Sequence, residues 1–184
     1  MELLAILLPI MAFIALAAGL VVVFRGSGRI AARTRELNQF KSAVKDLTFR
    51  ADTLLAAAAG QIDVVRHQQA GAEAIGQTVT DATEALERYG DEARSWQGSR
   101  RAQAIRDDLV GELERAIRAL GMVEHGANML ISARRGSRDL EAQTSIKRGY
   151  LNLIHAREAI ARHAGRAEDL TVEDPRAGRS GFFV

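Results

Sequence analysis

The chain has 184 residues, no Cys, two Pro and a formal net charge of +2, with 47% hydrophobic but only 5% aromatic residues. The missing Cys excludes a disulfide framework and a thiolate metal centre, and the near-neutral balance means that bulk charge selects no partner. Ala, Leu, Glu, Gln and Arg favour helix, and no Pro interrupts the chain between Pro9 and Pro175.

The expected class is therefore all-α: a single N-terminal transmembrane helix, then a long helix and two shorter antiparallel helices in a coiled-coil-like three- or four-helix bundle. Four segments follow: a transmembrane anchor at 1–25, a basic juxtamembrane segment at 26–36, a bundle or coiled-coil domain at 37–170 with turns near 98 and 136, and a disordered tail at 171–184.

Residues 3–24, LLAILLPIMAFIALAAGLVVVF, carry no charge. A helix of about 20 apolar residues crosses the hydrocarbon core. A cleaved signal peptide is the rival reading, with ALA at 15–17 as its cleavage site. That reading lacks a basic residue ahead of the run, where Glu2 stands instead, and the run continues beyond the site through LVVVF. Arg25, Arg29, Arg33 and Arg35 follow the run. Basic flanks stay cytoplasmic, so the expected topology is N-terminus out and the bulk of the chain cytoplasmic, single-pass in the cell (inner) membrane. The same arginines are placed to meet anionic headgroups. Residues 25–50 hold seven basic side chains against Glu36 and Asp46, whereas 51–97 hold three against eight acids.

From Leu37 the chain keeps a heptad. Position a reads Leu37, Val44, Ala51, Ala58, Val65, Ala72, Val79, Leu86, Ala93, and position d reads Phe40, Leu47, Leu54, Gln61, Gln68, Ile75, Ala82, Tyr89, Trp96. The unslipped phase argues for one helix from about residue 29 to 97. Gly71, near the polar d residues Gln61 and Gln68, is the weakest point. Continuity is favoured there because no Ser, Thr, Asp or Asn stands ready to cap a new helix.

Gly-Ser pairs at 26–27, 98–99 and 136–137 are read as joints: the bilayer exit and two helix-to-helix turns. At the last two, Gly suits a left-handed position after a helix end and Ser suits the next N-cap. Arg134 and Arg135 then complement a C-terminal dipole, and Asp139 and Glu141 a first turn. If residues 29–60 form a stalk, Leu37, Phe40, Val44, Leu47 and Leu54 become an open seam, the candidate surface for a homodimer. If Gly71 breaks the helix, a four-helix bundle results.

A search for chemistry returns little. His155 and His163 lie two turns apart with Glu158 between them, but a di-iron bundle needs Glu-x-x-His on two helices, and none occurs here. His67, His125, His155 and His163 are read as rim residues. No phosphate-loop, nucleophile-elbow or zinc-protease motif is present. Arg100, Arg101 and Arg106 alternate with Asp107, Asp108, Glu112 and Glu114, as on a solvated face.

The expectation is thus a scaffold or interaction protein and not an enzyme. It has no catalytic, cofactor-binding or metal-binding residues and no cofactor. Its partners are the lipid bilayer and proteins, itself included, with no nucleic acid and no small-molecule substrate. A signal-transmitting module and an accessory subunit of a larger membrane complex are the alternatives. Phe182, Phe183 and Val184 form an apolar C-terminus that a peptide-binding domain could capture. Only three of the 25 basic residues are Lys, a usage that suggests a GC-rich bacterial genome.

Overall fold

The computed structural model describes the backbone over 2–67, 71–132 and 139–171, and the side chains over the same stretches from residue 31 onward. All regular structure in these stretches is helical: α1 at Glu2–Arg66, a 3-10 turn at Ala72–Ile75, α2 at Gly76–Ser95, α3 at Arg100–Ser132 and α4 at Asp139–Glu168. Residues 40–170 make one compact unit, while 1–39 and 171–184 belong to a second.

In the second unit the described side chains, from residue 31 to 39, are exposed except for half-buried Leu37. α1 runs unbroken through Gly26, Ser27 and Gly28, so the helix does not end at the first Gly-Ser pair. Two glycines cost a helix about 1 kcal/mol each, which a long helix absorbs. Among the described residues no helix is long and apolar enough to cross a membrane. The run at 3–24 falls where side chains are not described, and the described helices lend the expected span no support. The tail from 172 onward and the joint at 136–137 also lie outside the described residues.

The compact unit is a four-helix bundle, and cross-helix contacts fix its order. Phe40 meets Trp96 edge to face, ring centroids 5.9 Å apart. Arg50 bonds Glu92 at 2.7 Å, which sets α2 antiparallel to α1. Arg94 meets Glu114 at 2.7 Å between α2 and α3. Arg166 meets Asp108 at 2.8 Å between α4 and α3. Arg157 bonds both oxygens of Asp52, at 2.6 and 3.2 Å, and Lys41 Nζ donates to the Glu168 carbonyl at 2.7 Å. These last two close the ring between α4 and α1. Each helix therefore lies beside the next in an up-down-up-down circuit.

The expected continuity of the first helix fails. α1 stops at Arg66, where the His67 N–H donates to the Asp63 carbonyl at 3.1 Å. Gly71 is extended (φ −71°, ψ 159°) and starts the 3-10 turn with no side-chain cap. The reason is tertiary: folding back buries Val65, Ala72, Ile75 and Val79, and that apolar burial outweighs a missing cap of about 1 kcal/mol.

The heptad drifts as well. Val44, Ala51, Ala58 and Val65 are all buried at a, but at d only Phe40 and Leu47 are; Leu54 is half-buried and Gln61 exposed. Thr48, Leu55 and Ile62, one residue past d, take over the inner face. A straight helix rotates about 20° per heptad against a 3.5-residue repeat, so α1 turns its d positions away.

α3 and α4 approach closely. A Cβ on Gly126 would sit 2.7 Å from the Ala142 carbonyl oxygen and from Ile146 Cγ1, and one on Gly149 would sit 2.7 Å from the Ala119 carbonyl oxygen and from Val123 Cγ2. The contact is reciprocal: Ala119, Val123 and Gly126 face Ala142, Ile146 and Gly149, with the same spacing on both helices.

Candidate functional site

Of the residues expected to flank a membrane, Arg33 and Arg35 are exposed on α1. Arg25 and Arg29 lie on the same helix, their side chains outside the described residues. The candidate oligomer seam is not open. Phe40, Val44 and Leu47 are buried inside the compact unit, Val44 and Leu47 completely, while Leu37 and Leu54 are half-buried. From Phe40 onward no stalk forms, because the chain through α2 folds back along α1 there. The surface that remains on α1 is its outer side, where Phe49 is 72% exposed.

The second turn matches its expected position but not its expected geometry. Residues 96–99 link α2 to α3, and Ser99 Oγ accepts from the Ala102 N–H at 3.3 Å, as an N-cap should. Gly98, however, is not in the left-handed region. A Cβ there would meet the Ala102 Cβ at 2.9 Å, so Gly is required by closeness and not by φ. Trp96 at the end of α2 is extended (φ −71°, ψ 135°). Its carbonyl accepts from Arg106 Nη1 at 2.9 Å.

The histidines divide. His67, His125 and His155 are exposed as expected, but His163 is 5% exposed and faces the bundle interior. The rim reading is wrong for it. The signal was available in the spacing: Ala156, Ile160, His163 and Ala167 recur every three or four residues, and all four are buried. Burial pushes its pKa below the ordinary value, and Arg166 adds to that. The Arg166 Nη1 donor lies 3.3 Å from its Nδ1.

The charged pairs that join two helices sit at half-exposed positions. Its hydrogen bond to Glu92 holds the Arg50 guanidinium above its ordinary pKa, and the bond to Asp52 does the same for Arg157. Both stay charged. The Arg50 guanidinium also lies over the Tyr89 ring, 5.0 Å from its centroid, and Arg66 over Tyr150 at 4.3 Å. Among the described residues no group of three or more His, Asp or Glu side chains could hold a metal ion.

Exposed large apolar side chains concentrate on the α3–α4 half. Met122, Ile131, Leu140 and Leu151 lie there, with Leu140 80% exposed. An open groove between α3 and α4 is lined by Met122, Met129 and Leu140 together with His125, Glu141 and Arg148. Ser145 Oγ donates to the Met122 carbonyl at 2.9 Å across its floor. Met side chains adapt to varied partners, and sequence periodicity gave no sign of this groove because its residues fall outside the inner stripe. Compared with protein-family models, curated proteins and solved structures, the chain matches none.

Proposed function

We propose that the protein is a single-pass, membrane-anchored helical scaffold that presents a cytoplasmic four-helix bundle to protein partners. The observation that carries this reading is the uncharged run at 3–24 followed at once by Arg25, Arg29, Arg33 and Arg35. The exposed apolar side chains of α3 and α4 support a role in protein contact. The reading assigns it no catalytic role and no cofactor.

The test is to wash membranes holding the full chain with alkaline carbonate and then recover the protein in mild detergent with its partners for mass spectrometry. Retention through the wash together with recovered protein partners is the expected result. Release by the wash overturns the anchor, and recovery without any partner overturns the scaffold.

A second reading, a signal-transmitting module, is favoured by one observation: α1 is a single helix from Glu2 to Arg66, so the apolar run and a bundle helix belong to one element. One dominant companion in the same recovery would instead make the protein an accessory subunit of a larger membrane complex.

A further inference from the structure

His163 is the only buried His among the described residues, and its hydrogen bond constrains its protonation. Arg can only donate, so the contact from Arg166 Nη1 at 3.3 Å requires a lone pair on His163 Nδ1. The ring is then neutral, with its proton on Nε2. The same Arg166 Nη1 lies 2.8 Å from Asp108 Oδ2 on α3. One guanidinium thus ties the interior imidazole to the neighbouring helix. Two residues on, Lys41 Nζ of α1 caps the Glu168 carbonyl at 2.7 Å, and Ala167 and Leu170 are buried. The end of α4 is held to both neighbours within two turns.

We propose that His163 is a proton-operated latch on the end of α4: neutral, it seats Arg166 against Asp108; protonated, it releases that contact, and the segment from His163 to Leu170 lifts from the bundle. A proton taken from solvent onto Nδ1 removes the acceptor and leaves two cations facing each other.

The surrounding charges act in both directions. Arg166 and Arg162 on α4 oppose the added charge, while Asp108 and Glu112 on α3 favour it. Glu112 Oε2 is buried and makes no hydrogen bond, although Arg115 Nη1 lies 2.9 Å away. At the same level α1 carries Lys41, Lys45 and Asp46, the last 2.8 Å from Arg50 Nε. There α2 carries Glu92, bonded to Arg50, and Arg94, bonded to Asp91 and Glu114. Burial and Arg166 prevail, so the neutral latch is the resting state at neutral pH.

The test is amide hydrogen exchange on the full chain between about pH 8 and about pH 5, the range in which His changes charge, corrected for intrinsic exchange rates. Amides at 163–170 should lose protection about tenfold or more in acid relative to those at 142–160. H163Q should keep that protection at both ends of the range, because its side-chain oxygen accepts from Arg166 and does not titrate. Undiminished protection of 163–170 in acid, or the same loss in H163Q, overturns the latch. Should H163Q fail to fold, imidazole titration of the native chain by NMR decides. His163 should titrate below the ordinary 6.5, and a midpoint at or above that value refutes the proposal.

Discussion

Single atoms decide the contact between α3 and α4. Gly126 and Gly149 each occupy a place where a Cβ would press on main-chain oxygen of the opposite helix. A main chain cannot swing aside as a side chain can, so Gly149→Val should lower unfolding stability by about 1–3 kcal/mol, the usual range for overpacking. Gly111, exposed on α3 with nothing within 4 Å of its would-be Cβ, is the control. There Gly111→Ala should raise stability by about 0.5–1 kcal/mol, because only the helix propensity changes. Urea titration of both variants checks the pair. His163 adds a pH dependence. Its folded pKa is depressed below the ordinary 6.5, so the unfolded chain binds the proton more readily than the native one. Stability is therefore full above that value and falls as pH drops below it. Urea midpoints of the native chain should decline on the acid side, and those of H163Q should decline less.

At the scale of the element, α1 separates core from surface within three residues. Leu47 is fully buried, and Phe49 is mostly exposed. Leu47→Ala should cost about 2–5 kcal/mol, whereas Phe49→Ala should stay within about 0.5 kcal/mol. Equal effects in thermal denaturation would contradict the assignment of faces. Ser99→Ala removes the acceptor for the Ala102 N–H and should cost about 1 kcal/mol.

These same elements show what was legible in the sequence. The Ser99 cap was, because a hydroxyl at a helix start has one local use. The break after Arg66 was legible only as the lesser alternative, with Gly71 as the weak point. The local signals around Gly71 lack a cap, and what decides the break is the apolar surface of α3 and α4, which lies far away in sequence. The move of the inner face from Leu54 and Gln61 to Leu55 and Ile62 was hidden, since a strict heptad is only one way to read a pattern that a straight helix satisfies by drifting. His163 was legible by its spacing with Ile160 and Ala167 and was misread because a polar residue usually marks the rim.

For the whole bundle, apolar burial and not charge carries stability. The ring-closing pair of Arg157 and Asp52 leaves each side chain more than a third exposed, and that of Arg50 and Glu92 is similar. Such pairs contribute roughly 0–1 kcal/mol each and are screened by salt. Raising salt to about 0.5 M should therefore shift the unfolding midpoint little, and Asp52→Asn should cost much less than Leu47→Ala.

The circuit of helices also settles where the unit's two ends lie. Lys41 touches the carbonyl of Glu168, so the chain enters and leaves the bundle at neighbouring points. A unit of that kind is a cassette. It can be spliced into a loop of another protein without stretching its host, or its ends can be joined by a short linker and reopened in the link at 96–99. Such rearrangements are tolerated when chain ends adjoin and the new opening is exposed. What descent could have done with this bundle is thus wider than its present order along the chain.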